Sequence, residues 1–360
     1  MPTREVTLRF EVPEVYRLVL MTERDGTIRE ARAEGEFVSR QVGRLVSDRY
    51  RDPHKALYVV ERLCGACSHA HTLAFASAVE RALSLDIPPR AGAIRTLTAE
   101  LERIQSHLFS LSETATIAGG HDLARPVWAA WQQVTALLAE ITGNRIHYGI
   151  NCIGGLARDL SPTAPRMAQE MLASLGESLR PLRGEFERAA GRRLAGLGVW
   201  RSPGQELPGT GPNQRASGSR RDVRRERPYL LYRELPLAVP VRDEGDSLAR
   251  VSVRLEELLV SYALIDELLA SLPEGAIRAE GSETSTVSTV ATSMSVEAPR
   301  GEDRHEVTLA ADGEISSLAI RVPTEDSIVG LAAALVGVRE ADARLVVASF
   351  DLCMSCLGGT

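Results

Sequence analysis

The sequence predicts an α+β protein in which a central bundle of long helices is flanked by small β-sheets. Three observations predict it. Residues 4–34 have the composition of strands, stretches from about Leu73 to Leu272 carry a helical period, and short strand-like pieces return after Pro273.

In order along the chain, "EVTLRFEV" and "VYRLVLMTE" are rich in β-branched and apolar residues, and "RDGT" is a turn signal. In "AIRTLTAELERIQSHLFSL", apolar residues fall at Ile94, Leu97, Leu101, Ile104, Leu108 and Leu111. Their spacing alternates three and four, so one stripe of a long helix faces a core. Further helical stretches are "VWAAWQQVTALLAEITG", "APRMAQEMLASLGESLRPLRGEFERAA" and "LARVSVRLEELLVSYALIDELLASL". From Arg201 to Pro228 the chain is rich in Gly, Pro, Ser and Arg, which predicts a long loop or a joint between helices. "HEVTLAADGEISSLAIRV" returns to strand character around a turn at "ADGE". One domain is expected over residues 1–360, with a β region to about 50, a helical core over about 70–272 and an α/β region over about 273–360.

Composition narrows the function. With 44% hydrophobic residues in 360, the chain can bury a large core. A net charge of −6 argues against a nucleic-acid or anionic-lipid surface. Lys55 is the only lysine, so arginine carries nearly all the positive charge. The opening "MPTREVTLRFEVPE" has neither an apolar leader nor a twin-arginine signal. The charge-free run "SIVGLAAALVGV" is well short of the ~20 residues a membrane span needs. A cytoplasmic chain is expected, able to sit against a membrane complex.

Four of the five cysteines form two Cys-x-x-Cys pairs, Cys64/Cys67 in "RLCGACSHAH" and Cys353/Cys356 in "FDLCMSCLGG". Four thiolates suit a soft metal. Spacing alone fits a Cys₄ zinc clamp as well as a catalytic centre. Zinc knuckles, however, keep their pairs within ~15–20 residues of each other. Pairs at opposite ends of a large chain imply a site at its centre, which suits a catalytic metal better.

"YVVERLCGACSHAHTLAFASAVE" with "VVASFDLCMSC" resembles the two cysteine motifs of the large subunit of [NiFe] hydrogenases. "ITGNRIHYGINCIGGLARDL", "RASGSRRDVRRERPYLLYRELPLAVPVRDEGDSLARVSVRLEEL" and "EAPRGE" resemble its membrane-associated, energy-converting group 4 branch. That branch shares ancestry with the 49-kDa subunit of respiratory complex I. The resemblance spans Glu11 to Cys356. Complex I subunits keep the fold without the four thiolates, so these cysteines point to the hydrogenase side.

The resemblance implies a Ni–Fe(CN)₂CO centre, with Cys64 and Cys353 as terminal nickel ligands and Cys67 and Cys356 as bridging ones. A terminal thiolate is the more basic sulfur and takes the proton when H₂ splits heterolytically. Glu14, ahead of Asp25-Gly26, matches the family's proton-relay glutamate; read by itself it is a solvated carboxylate. His71 matches the histidine that donates a hydrogen bond near a bridging sulfur. Asp351 supports the cluster or caps a turn, Arg300 of "EAPRGE" anchors loops near the site or a partner interface, and Arg321 of "RVPT" is expected beside the diatomic iron ligands. Cys152 reads as a small buried hydrophobe. It is the only cysteine left over, so the chain can hold no iron–sulfur cluster of its own. The implied partners are a [4Fe–4S] small subunit, antiporter-like membrane subunits and hydrogenase maturation factors, with H₂ and protons as substrates. The implied location is the inner face of the cell membrane.

Three positions depart from the pattern. Leu352 replaces a proline between Asp351 and Cys353. Gly359 stands where the family places His or Arg, at the maturation cut. "SRQVGRL" replaces "HRGIEKL", putting Gly43 where many members carry a glutamate. These departures leave open a scaffold role like that of the complex I subunit.

Overall fold

The structure, a computed structural model, describes residues 4–9, 17–34, 39–201, 207–280 and 288–360. Strands β1 (Arg4–Arg9), β2 (Arg17–Thr22) and β3 (Ile28–Glu34) form an antiparallel sheet in that order. Helices α1 (Val42–Arg49), α2 (Pro53–Val60) and α3 (Ser68–Ala82) follow, then the long α4 (Pro89–Ile117) and α5 (His121–Thr142). After a small hairpin of β4 (Asn151–Cys152) and β5 (Gly155–Leu156) come α6 (Ala164–Ala189) and the short α7 (Gly191–Leu194), α8 (Pro212–Arg215) and α9 (Val223–Glu226). Helix α10 (Ser247–Ala270) leads to a second antiparallel sheet, β6 (Val290–Ala298), β7 (Gly301–Leu309) and β8 (Ile315–Arg321). Helices α11 (Pro323–Leu335), α12 (Ala343–Phe350) and α13 (Met354–Leu357) close the chain. The class is α+β, as expected.

The periodic segments became the bundle α4, α5, α6 and α10. Ile94, Leu97, Leu101, Ile104, Leu108 and Leu111 of α4 are all buried in it, together with Val134 and Leu138 of α5, Leu172 and Leu175 of α6 and Leu258 of α10. The first sheet is tied to the C-terminal part: Ile28 exchanges backbone hydrogen bonds with Gly337 and Val338, and Leu18, Leu20 and Ile28 pack with Leu335, Val346 and Phe350. This contact joins the first sheet to the region that precedes the second cysteine pair.

Two features differ from the expectation. Helices α1 and α2 precede the point where helical character was read, because each is only eight residues long and mixes polar with apolar positions. Over its described residues the joint expected at 201–228 is irregular apart from α8 and α9, yet part of it lies in the interior rather than on the surface. Arg215 and Arg224 are fully buried. Arg215 meets Glu257 at 2.7 Å and Glu297 at 2.8 Å, and Arg224 meets Asp222 at 2.7 Å and Glu100 at 3.0 Å. Guanidinium is the cation best suited to such sites, since its planar fork satisfies several acceptors at once.

The polar face of α4 joins this network. His107 Nε2 lies 2.9 Å from Glu257 Oε2, both fully buried. Burial pulls the His107 pKa down to about 4, with Glu257 opposing and the Arg103 and Arg254 charges reinforcing the drop. The folded chain therefore keeps His107 neutral where the unfolded chain takes up a proton. Its contribution to stability is present above pH 6.5 and is lost as pH falls through 4, on the order of 3 kcal/mol in all. His107→Gln retains a donor near the Nε2 position but does not titrate. Denaturant unfolding from pH 7 to pH 4 is expected to show a shallower loss of stability for this variant than for the wild type; parallel curves would contradict the assignment.

Candidate metal centre

Cys64 and Cys67 flank the turn before α3, and Cys353 and Cys356 the turn into α13. Cys64 Sγ lies 3.4 Å from Cys353 Sγ, and Cys67 Sγ lies 3.2 Å from Cys356 Sγ. All four are buried, with their sulfurs within 4.8 Å of one another. The two pairs noted in the sequence are one cluster.

Several elements aim these loops. Glu102 of α4 accepts hydrogen bonds from the amides of His69 (2.8 Å) and Ala70 (3.1 Å), capping the N-terminus of α3 where Cys67 sits. His147 Nδ1, 3.0 Å away, fixes the same carboxylate. On the other loop, the Cys353 amide donates to Thr324 Oγ1, which donates to the Cys353 carbonyl. Arg40 joins the two loops. Its Nη2 donates to the carbonyls of Leu63 (2.6 Å) and Ser355 (2.5 Å), Nη1 to that of Arg62 (3.3 Å) and Nε to that of Gly358 (3.3 Å).

Beside the sulfurs is a small chamber of about 10 Å³ lined by Cys67, Cys353, Cys356, His71, Arg300 and Pro323, among others. Arg300 also borders an open cleft of about 810 Å³ lined in part by Gly65 and Ala66 of the first cysteine loop. Its Nη2 donates to Asp351 Oδ1 (2.8 Å), its Nε to the Asp351 carbonyl (2.9 Å) and its Nη1 to Ser106 Oγ (3.0 Å). Asp351 adopts φ 52°, a left-handed conformation that aspartate tolerates, at the end of α12. The backbone carrying Arg300 approaches another chain segment closely. A Cβ on Gly301 (φ +133°) would lie 2.3 Å from the Thr210 carbonyl oxygen, and one on Gly211 (φ +115°) 2.3 Å from that of Arg300, so only glycine fits at either position.

Without metal the sulfurs divide their protons unequally. Cys353 is held well below the usual thiol range by hydrogen bonds from Cys356, Cys64 and Cys67 and by the Arg300 charge. Cys67 is pushed well up by its hydrogen bonds to Cys353, Cys356 and Cys64, and Cys356 by those to Cys353 and Cys64. His71 Nε2 sits 3.5 Å from Cys356 Sγ. Burial lowers the His71 pKa, but the charge and hydrogen bond of Asp303, with the sulfurs of Cys64 and Cys353, outweigh it and raise the pKa to about 9.

His71, Asp351 and Arg300 thus lie at or beside the sulfur cluster. Glu14 lies outside the described residues. Arg321 is elsewhere: its side chain is 59% exposed and pairs with Asp326 at 2.9 Å. It falls on the outward pleat at the end of β8, and the chamber-side role within "RVPT" passes to Pro323 and Thr324. Cys152 is half-buried in β4, away from the cluster. Arg40, Glu102, Ser106, Asp303 and Thr324 had not been singled out. Only "SRQVGRL", already noted for Gly43, offered a signal, and it pointed one turn past Arg40.

Two of the three departures have steric reasons. A Cβ on Gly43 would lie 2.3 Å from the Leu318 carbonyl oxygen, because α1 packs directly on β8, so a glutamate has no room there. A Cβ on Gly359 would lie 2.7 Å from Leu63 Cγ and 3.1 Å from Arg40 Nη2. The position where the family carries His or Arg is packed beneath Arg40.

Residues 45–112 match the nickel-dependent hydrogenase family, and residues 126–293 match the 49-kDa subunit family of the respiratory-chain NADH dehydrogenase. The membrane-bound hydrogenase subunit alpha of Pyrococcus furiosus is 31% identical over 319 residues, 83% of this chain and 74% of that protein. The chain belongs to the family of [NiFe]-hydrogenase large subunits and complex I 49-kDa subunits. A subunit of the F(420)H(2) dehydrogenase of Methanosarcina mazei is 28% identical over 95% of this chain and 93% of its own length. Among solved structures, an archaeal membrane-bound sulfane sulfur reductase, a respiratory membrane complex, matches with a TM-score of 0.90 at 27% identity, covering 99% of this chain and 98% of that one. The relatives thus include a membrane-bound hydrogenase subunit and a dehydrogenase subunit, and the matching structure is a respiratory membrane complex. Among the described residues no helix is long and apolar enough to cross a membrane.

Arg40→Ala should free the C-terminal turn while leaving the bundle intact. In the metal-free chain, alkylation of Cys353 and Cys356 mapped by mass spectrometry is expected to quicken several-fold. Arg40→Lys should not restore protection, because an ammonium cannot span the same carbonyls. Wild-type alkylation rates in both variants would rule out this role.

Proposed function

We propose that this chain is the catalytic large subunit of a group 4-like, energy-converting [NiFe] hydrogenase performing H₂ ⇌ 2H⁺ + 2e⁻. The observation that carries this reading is the convergence of four buried sulfurs beside a chamber bordered by Arg300 and His71. Four soft anionic donors would suit nickel and iron. When bound, a Ni–Fe(CN)₂CO centre supplies polarisation of H₂ and the two-electron redox step.

The chain's residues do the rest. Cys64, Cys67, Cys353 and Cys356 would hold the metals, and Cys353, the sulfur kept as a thiolate, would accept the proton at its Sγ. Arg300, fixed by Asp351, sets positive charge beside that sulfur. His71 donates to Cys356. Glu14 carries the proton outward. Electrons must leave through a partner bearing a [4Fe–4S] cluster, since Cys152 is the only cysteine not in the site. Antiporter-like membrane subunits, maturation factors and a place on the inner face of the cell membrane complete the proposal.

A second reading, a non-catalytic scaffold of the complex I type, is favoured by the 49-kDa match over residues 126–293 and by the lack of room for a carboxylate at position 43. Metal analysis of the purified complex separates the two. The hydrogenase reading expects roughly one nickel and one iron per chain, with both nickel and H₂ evolution lost in Cys353→Ser. Stoichiometric zinc, or no nickel, would contradict it. Glu14→Gln is expected to keep the metals and slow H/D exchange by orders of magnitude; unchanged exchange would remove Glu14 from the proton path.

A further inference from the structure

One ring nitrogen of His71 faces Cys356, and the other faces a buried carboxylate. His71 Nδ1 lies 2.7 Å from Asp303 Oδ2, opposite the 3.5 Å approach of Nε2 to Cys356 Sγ. Behind them, His305 Nε2 lies 3.5 Å from Asp303 Oδ1 and 3.2 Å from His71 Nδ1. All three side chains are at most 1% exposed, and Phe75 stands edge-on to the His305 ring at 6.5 Å.

The strand explains how they meet. Along β7, Gly301, Asp303, His305, Val307 and Leu309 are buried while the intervening residues are less so. Asp303 and His305 therefore reach α3 on the same pleat. A one-residue slip would turn both away, and pairing with β6 on one side and β8 on the other prevents it.

An imidazole beside a sulfur can turn about its ring axis and present either nitrogen or carbon to it. A carboxylate only accepts, so the charge of Asp303, 2.7 Å from Nδ1 though off the line of a straight hydrogen bond, favours a proton on that nitrogen and leaves Nε2 directed at the sulfur. We propose that Asp303 is a positioning residue that, backed by His305, sets the orientation in which His71 meets Cys356. The proposal rests on the reading of Cys356 as a metal ligand. It extends the hydrogen-bonded support of the centre one residue further, from sulfur to imidazole to carboxylate.

The test uses the full chain in metal-free form, labelled with ¹⁵N-histidine. A far-downfield ring N–H proton is expected on His71 Nδ1, absent in His71→Gln and lost in Asp303→Asn, while the unfolding midpoint of Asp303→Asn stays near wild type. In the loaded complex, Asp303→Asn should release nickel to a chelator at least threefold faster and shift the potential of the centre. His305→Gln, which keeps a side-chain donor, should behave like the wild type in both measurements. Persistence of the resonance in Asp303→Asn would overturn the proposal. So would an additional divalent ion, beyond those on the four sulfurs, whose binding Asp303→Asn abolishes. If Asp303→Asn fails to fold, the wild-type spectrum decides, because absence of the resonance there is equally fatal. The metal-free spectra do not depend on which metal the cysteines hold, so zinc in place of nickel would end the hydrogenase reading and leave this result standing.

Discussion

Two cysteine loops 289 residues apart must bring four sulfurs within 4.8 Å of one another, and much of the fold serves that requirement. Neither loop can hold its place alone. The first is fixed from behind by Glu102, which caps the helix that starts at Cys67; the second hangs from Thr324. Arg40 binds the backbone of both, so a single guanidinium couples the beginning of the chain to its end. The first sheet reinforces this through its backbone bonds to residues 337 and 338. The site is therefore a property of the whole topology rather than of either motif.

Behind the site runs a ladder of buried charge. Arg300 and Arg254 meet Asp351; Arg215 meets Glu257, Glu297 and Asp222; Arg224 meets Asp222 and Glu100. Each of these carboxylates has a guanidinium within reach. Such networks contribute little net stability compared with apolar packing, but breaking one partner is costly, about 3–5 kcal/mol. Their effect here is to fix where Arg300 and Asp351 stand relative to the sulfurs, because both belong to the same ladder. Rigidity of that kind suits a centre whose ligands must stay in place through redox change.

The fold class and the bundle were legible because helical periodicity survives in sequence: the apolar stripe of α4 from Ile94 to Leu111 is the stripe that packs. The opposite face of the same helix was not legible. Arg95, Glu102, Arg103 and His107 have the polarity of a solvated surface, and only the tertiary structure reveals that each meets a buried partner. The cysteine pairs and His71 were found from their motifs. Arg40 escaped notice because its partners are backbone carbonyls, which leave no trace in side-chain chemistry. Asp303 and His305 carried no metal-ligand spacing, and strand alternation alone unites them. Arg321 was misplaced for the converse reason: its motif was recognised, but the pleat of β8 sends it outward, while Pro323 lines the site and Thr324 bonds the Cys353 backbone.

If the sulfur cluster holds a nickel–iron pair, the iron carries small ligands with vibrations found in no side chain. Infrared spectroscopy of the purified complex therefore addresses the central claim most directly. The account predicts bands in the cyanide and carbon monoxide stretching regions that shift when the sample is reduced under H₂. A spectrum blank in both regions, from protein whose four cysteines are fully occupied by metal, would contradict it.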